Sequence, residues 1–391
     1  MGKYRVKRNI CVVLTARASY AKIKPILQHL EKNPTVELQL ICAASAMLDR
    51  FGNTVKIVEE DGFYVNEKIH FIIEGEDHLT TTKSTGLGLV EFAGAFARLK
   101  PDIAVVMADR YEVLSAAIAA AYQNIPLAHI QGGEVSGNID EKVRHAITKL
   151  ADYHFPATER SKEWIIRMGE DPEKVFLSGC PSIDLADQVL NSPEFDYELY
   201  EKYGGVGHRP SLSDGYIIVM QHAVTTERGD SRTHVTETLH AVAEIKMPVL
   251  WFWPNPDAGS DDVSKTIRAF RENYDPPNIH FIKNMEPLDF LRLLNSSNGI
   301  VGNSSSAIRE ASYLGIPAIN IGTRQLNREK GPNVIDVNYN RTEILEAIQE
   351  HFTGRKDSSH LYGKAMAGKT IAKILSEVPL VFSKEINYLQ D

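Results

Sequence analysis

The sequence has few cysteines, no apolar run of membrane length and no secretory signal. Only three of its 391 residues are cysteine, and Cys11 and Cys42 lie within apolar runs. This odd, widely spaced set argues against disulfides and predicts reduced core thiols. No stretch approaches the roughly 20 apolar residues of a membrane helix, and the apolar run after the basic N-terminus is too short for a signal peptide. These absences predict a cytoplasmic protein that does not bind a membrane.

Positive charge is also in short supply. The chain has 43 Lys and Arg residues against 51 Asp and Glu, a net charge of −8. Because nucleic-acid affinity comes largely from neutralised phosphates, this balance argues against a nucleic-acid partner. It leaves room for a local basic site that binds a small phosphorylated ligand. The length predicts two domains, and the composition of 43% hydrophobic and 24% charged residues is typical of globular proteins.

Short apolar runs alternate with helical patterns almost from end to end. This alternation is typical of parallel α/β sheets covered on both faces. It breaks around residues 193–214, where Pro, Gly, Ser and charged residues replace the periodicity, and we interpret the break as the surroundings of an interdomain linker. The predicted strands are 10–15, 37–43, 103–107, 127–131 and 153–156 in the first half, and 216–221, 249–253, 279–282, 299–301 and 318–321 in the second.

Charged residues follow the first and third of these strands. Arg17 lies at a strand-to-helix turn, where unpaired N–H groups and the helix dipole suit a phosphate; an exposed turn is the equally weighted alternative. Asp109 and Arg110 follow the 103–107 strand, where open sheets place ligands, although Asp109 could instead be the N-cap of the next helix. The chain has no GxGxxG motif and no metal-ligand cluster, so no cofactor is predicted.

The segment from His129 to Glu141 is the richest in functional side chains. Its glycines allow close backbone approach to a ligand. Glu134, Asp140 and Glu141 are carboxylates that a closed site could tune for proton transfer. The alternative is an ordinary turn, which would need few of these residues.

Three segments of the second half carry polar residues after strands. His222 is either a site residue or a structural histidine, and Asn255 and Asp257 are placed to meet a ligand. The most specific segment begins at Gly302: Ser304 and Ser305 open a helix whose N–H and hydroxyl groups suit a diphosphate, Glu310 suits a ribose diol, and Arg324 ends the next strand. An ordinary serine N-cap is the alternative for this segment.

In combination and in this order, several segments resemble the UDP-N-acetylglucosamine 2-epimerase family. They are GGEVSG, ID, RHAITKL and YH within 132–154, GCPS at 179–182, PN.DAGS at 254–260, and GNSS with RE at 302–310. The closest branch is the hydrolysing one of sialic-acid synthesis. The resemblance implies two Rossmann-like domains facing a central cleft, as in GT-B glycosyltransferases, with the C-terminal helix crossing back to the first domain. The domains would be 1–190 with about 366–391, and 191–365.

The resemblance also implies a reaction and its residues. The family removes the C2 proton and expels UDP anti to give 2-acetamidoglucal, and hydrolysing members add water to give N-acetylmannosamine. Asp109 and Asp140 match acid/base positions, and His222 with the arginines would neutralise the leaving diphosphate. The implied UDP contacts are Arg17, Arg110, His222, Asn255, Asp257, Ser304, Ser305, Glu310 and Arg324.

The sequence departs from the animal-type pattern at several positions. Gln131 replaces a glutamate and cannot exchange a proton at neutral pH, so either Glu134 takes that catalytic role or Gln131 only orients the substrate. Where the animal-type sequence reads GDRF, this chain reads ADRY from Ala108. Ala21 stands where the animal enzyme has a serine, and Ala223 stands where the family often has a proline. The segment 44–47 lacks a histidine that is common in the family.

Several alternatives stay open. The same hydrolysis could act on UDP-2,4-diacetamido-2,4,6-trideoxyglucose, on the way to legionaminic-type acids. A non-hydrolysing epimerase, a glycosyltransferase and a catalytically silent nucleotide-sugar sensor are the other readings. The family suggests a homodimer or homotetramer.

Overall fold

The computed structural model describes residues 7–49, 52–75, 78–135, 139–195, 198–254 and 259–387. The chain forms two compact units. The first consists of the chain up to Glu134, Asp140–Asp184 and the C-terminal segment from Gly363, and the second consists mainly of Leu185–Tyr362. Within the described ranges, no helix is both long and apolar enough to cross a bilayer.

The first unit is built on a six-stranded parallel sheet with the order β3-β2-β1-β4-β5-β6. Its strands are β1 (Arg8–Leu14), β2 (Val36–Ala43), β3 (Glu67–Ile69), β4 (Ile103–Met107), β5 (Leu127–Ile130) and β6 (Tyr153–Phe155). Its helices are α1 (Arg17–Glu31), α2 (Thr54–Glu60), α3 (His78–Leu99), α4 (Tyr111–Tyr122), α5 (Ile139–Leu150), α6 (Glu159–Arg167) and, shared with the second unit, α7 (Ser182–Asn191).

Strand β1 shows why its sequence forms a central strand. Successive side chains of a strand point to opposite faces. Ile10, Val12 and Leu14 pack into one hydrophobic core and Cys11 and Val13 into another, and all five are at most 2% exposed. A strand buried on both faces must be a continuous apolar run, which is what the sequence shows.

All three cysteines are buried and form no disulfide. Burial raises the pKa of the Cys11 and Cys42 thiols. The prediction that Cys11 and Cys42 are core residues is confirmed, and a raised pKa disfavours the reactive thiolate form.

The C-terminal helix belongs to the first unit, as the resemblance implies. The chain returns there as α15 (Ala367–Glu377), which packs beside α1. The carboxylate of Asp184 accepts the backbone N–H groups of Ala367 and Gly368 at 3.0 and 2.7 Å. Gly368 is needed there, because an added Cβ would lie 2.7 Å from the Cβ of Pro25. Asp184 and Gly368 together fix where the returning helix docks.

The second unit repeats the same strand order. Its strands are β7 (Val206–Gly207), β8 (Ile217–Met220), β9 (Val249–Phe252), β10 (Ile279–Ile282), β11 (Gly299–Gly302), β12 (Ala318–Ile321) and β13 (Val334–Val337). They form the sheet β13-β12-β11-β8-β9-β10-β7, in which only the edge strand β7 is antiparallel. Its helices are α8 (Leu199–Tyr203), α9 (Ser231–Glu244), α10 (Ser260–Tyr274), α11 (Pro287–Ser296), α12 (Ser305–Ile308), α13 (Glu310–Leu314) and α14 (Arg341–His351).

All ten predicted strands are present, and the described part of the chain contains three further strands that the sequence did not predict. Strands β3 and β7 have only three and two residues, too few to show a periodicity. Strand β13 is only partly buried and carries a charged residue, Asp336, so it lacks a continuous apolar run. The two-domain α/β fold class is confirmed.

Each sheet has one point where the strand order reverses direction. In the first unit it lies between β1 and β4, and in the second between β8 and β11. Open α/β sheets bind ligands outside the carboxyl ends of the strands at such a point. The turns that follow these four strands are therefore the expected ligand positions.

The segment after α15 is anchored by a charge cluster around the buried Glu170. Lys384 donates to the carbonyls of Thr148 and Ala151 at the end of α5, and it forms an ion pair of 2.6 Å with Glu170. Glu170 also accepts from Lys149 at 2.6 Å and from His154 at 3.0 Å. Burial alone would raise the pKa of Glu170, but these three hydrogen bonds outweigh it and lower the pKa to about 2.

We predict that Glu170→Gln destabilises the protein and removes part of its acid sensitivity. The folded-state pKa of Glu170 lies below its ordinary value of 4.5, so its stabilising contribution is complete above that value and is lost as the pH falls toward 2. The variant leaves two ammonium groups without their carboxylate, and it should lose about 2–3 kcal/mol of unfolding free energy at pH 7. Urea denaturation at several pH values measures this, with the exposed Glu173→Gln as the control. Equal unfolding free energies for both variants would contradict the assignment.

Candidate active site

The predicted site residues of the first unit follow strands β1, β4 and β5. Arg17 is the first residue of α1, whose first turn contains no acidic residue. The N-terminus of a helix presents backbone N–H groups and the positive end of the helix dipole, which suit an anion. This position therefore suits a negatively charged ligand.

Asp109 is held by an arginine from α5. Arg144 is 1% exposed, and its Nη2 forms an ion pair with the Asp109 carboxylate. The Nη1 of the same guanidinium donates to the carbonyl of Glu134 at 2.7 Å. One buried side chain thus connects the turn after β4 with the Gly-Gly-Glu segment after β5.

The alternative reading of Asp109 as a helix N-cap is wrong. The N-cap of α4 is Arg110, and its own side chain makes no capping hydrogen bond. Arg110 instead pairs with the fully buried Glu112 at 3.1 Å. Asp109 is 18% exposed at its side chain, so it is both positioned by Arg144 and open to a ligand.

Sequence reasoning missed Arg144 as a site residue, although a signal was present. Arg144 lies four residues after Asp140 on α5, and residues at that spacing share one helix face. Asp140 is partly buried in the first turn of α5. The same helix therefore carries one predicted carboxylate and the cation that holds the other.

Gln131 is packed inward against the Gly-Cys-Pro-Ser segment. It is 1% exposed, and its Nε2 donates to the Sγ of Cys180 at 2.8 Å. That sulfur lies 2.9 Å from the Oγ of Ser182. The Oε1 of Gln131 has no hydrogen-bond partner among the described residues. Glu134 is 6% exposed, so both candidates for the third catalytic role lie in the protein interior.

In the second unit, Asn303 connects the turns after β8 and β11. Its Oδ1 accepts the backbone N–H of His222 at 2.7 Å, and its Nδ2 donates to the carbonyl of His222 at 2.9 Å. Gly302 precedes it with φ +128°, and an added Cβ would lie 2.1 Å from the carbonyl oxygen of Met220. Only glycine allows the two strand ends to approach this closely. His222, 3% exposed, is thereby held at the reversal point.

The serine segment after β11 differs in part from its prediction. Ser304 is an N-cap, since its Oγ accepts the N–H of Ser306 at 3.3 Å. The alternative of an ordinary serine N-cap is therefore correct for this one residue. The predicted single helix is two short ones, α12 and α13, separated at Arg309. Glu310 begins α13, is 7% exposed, and has an Oε2 without a hydrogen-bond partner in the described part of the chain.

Arg324 reaches the same turn from the neighbouring strand. It lies beyond β12, which ends at Ile321, rather than at the strand end as predicted. Its Nη1 donates to the carbonyl of Asn303 at 3.1 Å, and the Nε2 of Gln325 donates to the same oxygen at 2.9 Å. The structure therefore brings Asn303, Ser304 and Arg324 together, with Gln325 as a partner that the sequence did not suggest.

Glu227, at the end of the segment that begins with His222, connects the turn after β8 with the turn after β12. Its carboxylate accepts hydrogen bonds from the Oγ1 of Thr323 and, at 3.1 Å, from the hydroxyl of Tyr339. The predicted ligand residues Asn255 and Asp257 lie outside the described residues. Across the described part of the chain, no group of three or more His, Cys, Asp or Glu residues could hold a metal ion.

Comparison with known proteins supplies the family. Residues 28–376 match the family model described as UDP-N-acetylglucosamine 2-epimerase. The chain belongs to this family. It is 33% identical over 375 residues to a hydrolysing UDP-N,N'-diacetylbacillosamine 2-epimerase of Legionella pneumophila, covering 95% of this chain and 97% of that protein. It is 31% identical to a UDP-N-acetylglucosamine 2-epimerase of Neisseria meningitidis, covering 88% and 87%.

Solved structures of the family share the fold. The enzyme from Neisseria meningitidis bound to UDP-GlcNAc superposes with a TM-score of 0.78 at 19% identity, covering 94% of this chain and 99% of that one. The enzyme from Methanocaldococcus jannaschii in complex with UDP-GlcNAc and UDP gives a TM-score of 0.77 at 21% identity, with the same coverage. At these identities the likeness supports the fold, and the chemistry must be argued from this chain's own residues.

Proposed function

We propose that this protein is a hydrolysing 2-epimerase that converts UDP-N-acetylglucosamine and water into N-acetylmannosamine and UDP, for sialic acid synthesis. The observation that carries the proposal is the pairing of Asp109 with Arg144 on the helix that also bears Asp140. Two carboxylates associated with one helix and one strand end suit a reaction that moves protons at one carbon atom. The hydrolysing names of relatives at 30–33% identity support the same reaction.

The proposed chemistry needs an acid and a base. A base removes the proton from C2 of the sugar while the C1–O bond to UDP breaks on the opposite side, which leaves 2-acetamidoglucal. Water then adds at C1, and an acid returns a proton to C2 from the other face. Asp109 and Asp140 are our candidates for these steps, with Gln131 or Glu134 orienting the sugar or assisting the water. Arg144 would keep the Asp109 carboxylate in place through both steps.

The UDP end requires cations and hydrogen-bond donors. Negative charge develops on the leaving diphosphate, and prearranged donors stabilise such charge. We assign this role to residues at the strand ends, with Glu310 on the ribose diol. The proposed set is Arg17, Arg110, His222, Ser304, Ser305, Glu310 and Arg324, together with Asn255 and Asp257 outside the described residues.

One alternative substrate has a specific observation in its favour. The Legionella pneumophila relative, whose match covers 95% of this chain, is named for UDP-N,N'-diacetylbacillosamine. The chemistry at C1 and C2 would be the same on UDP-2,4-diacetamido-2,4,6-trideoxyglucose, and only the groups at C4 and C6 differ. The cytoplasmic location and the homodimeric or homotetrameric state remain predictions.

The function is tested by incubating the purified protein with UDP-N-acetylglucosamine in D₂O and following the products by proton NMR. We expect UDP and free N-acetylmannosamine carrying deuterium at C2, because the proton returned to C2 comes from solvent. UDP-N-acetylmannosamine as the product would indicate a non-hydrolysing enzyme. Turnover of only the diacetamido substrate would support the alternative, and no turnover of either would favour a nucleotide-sugar sensor.

Asp109→Asn and Asp140→Asn should each lower kcat by about 100-fold or more, since general acid–base groups typically contribute that much. Neither change removes a proposed UDP contact, so UDP affinity measured by calorimetry should stay unchanged. Glu159→Gln, an exposed change at the start of α6, is the control. Wild-type rates in both Asn variants would contradict the acid/base assignment.

Ser305→Ala and Arg324→Ala should each weaken UDP binding, because each removes a donor to the diphosphate. We expect Kd for UDP to rise about 10-fold or more for Arg324→Ala and less for Ser305→Ala, since hydrogen bonds to charged groups are the stronger ones. Ser306→Ala changes the adjacent serine and is the matched control. Unchanged affinity in both variants, with thermal melts that match the wild type, would show that the UDP site is misplaced.

A further inference from the structure

The residue before Asp109 has an unusual backbone conformation. Ala108 has φ +66°, in the left-handed region that side chains other than glycine rarely adopt. Such a conformation persists only where the surroundings hold it. Because Ala108 directly precedes Asp109, its backbone angles set the direction in which the Asp109 side chain leaves the strand.

Two neighbouring residues of β5 hold both polar backbone groups of Ala108. Its N–H donates to the carbonyl of Ile130 at 2.9 Å. Its carbonyl oxygen lies 2.8 Å from the Nε2 of His129. The left-handed turn is therefore tied to β5 by one backbone bond and one side-chain bond.

The tautomer of His129 follows from its partners. A carbonyl oxygen only accepts, so Nε2 carries the proton and donates to Ala108. The Nδ1 then accepts from the hydroxyl of Thr148 on α5, at 3.1 Å. The ring is fully buried, and burial lowers the pKa of His129 to about 3 although the bond to Ala108 opposes this. The imidazole therefore remains neutral and keeps one fixed donor.

The first glycine of the Gly-Gly pair makes room for this arrangement. A Cβ on Gly132 would lie 2.9 Å from the Nδ1 of His129 and 2.8 Å from the Oγ1 of Thr148. Gly132 has no positive φ, so a left-handed backbone conformation is not the reason for a glycine at this position. The sequence thus keeps a glycine where a larger residue would disturb the His129–Thr148 pair.

We propose that His129 is a positioning residue for the epimerase reaction: by donating to the Ala108 carbonyl, it holds the left-handed turn that aims the Asp109 carboxylate. The inference rests on the proposed function of Asp109. His129 touches no substrate, and it acts through Ala108 alone. Thr148 and Gly132 serve to orient the imidazole.

Two substitutions at His129 separate positioning from simple packing. The amide nitrogen of His129→Gln can take the place of Nε2 and still donate to Ala108, whereas that of His129→Asn reaches only the place of Nδ1. We expect His129→Gln to stay near the wild-type kcat. His129→Asn should lower kcat by about 30-fold or more with KM and UDP affinity unchanged, because small misplacements of a catalytic group are costly.

A second substitution tests the backbone directly. Glycine adopts positive φ without strain, so Ala108→Gly should restore much of kcat in the His129→Asn background and change it little in the wild type. Equal activity of the Gln and Asn variants, or no recovery by Ala108→Gly, would overturn the proposal.

The same variants give a readout that does not depend on activity. In urea denaturation, His129→Asn should destabilise the protein less when residue 108 is already glycine, because the hydrogen bond from His129 then has less backbone strain to oppose. Additive changes in the free energy of unfolding would overturn the proposal even in an active enzyme. A wild-type protein inactive on both UDP-sugars would contradict the proposed function. The comparison of the two single variants with the double variant would still decide whether His129 holds Ala108.

Discussion

Within each sheet all strands except β7 are parallel, and this constraint determines where a ligand can bind. Parallel strands must be joined by crossover connections, so all strand-to-helix turns fall at the same edge of a sheet. The strand order reverses between β1 and β4 in one unit and between β8 and β11 in the other. The turns after these strands, with those after the adjacent β5 and β12, hold the candidate residues that the structure describes.

Buried polar contacts, rather than apolar packing, set the detailed geometry of these turns. Arg144 binds both Asp109 and the carbonyl of Glu134, and Asn303 binds both backbone groups of His222. A buried polar group left without its partner is costly, so each of these contacts stabilises one turn against another. His129 extends the same logic to a backbone conformation, since it holds Ala108 by a hydrogen bond to a carbonyl.

The predictable part of the fold is the part encoded by local periodicity. Strands such as β1 and β4 are continuous apolar runs because both of their faces are buried, and such runs are visible in the sequence. The short edge strands β3 and β7 have too few residues to carry a pattern, and they form only because a neighbouring strand offers hydrogen bonds. Similarly, Asp109 could be singled out as a charged residue after a strand, but its competing role as a helix N-cap could not be excluded before its partner was known.

The sequence by itself determined the fold class, the family and the candidate segments for the chemistry, because apolar period, turn glycines and motif order are local properties. Only the tertiary structure decided which side chains meet. Asp109 and Arg144 are 35 residues apart in the chain, and His222 and Asn303 are 81 residues apart. Such pairs arise when separate strand ends are brought to one edge of a sheet. No local pattern encodes that distance, so the contact of Arg144 with Asp109, that of Gln325 with Asn303 and that of His129 with Ala108 became visible only in the folded chain.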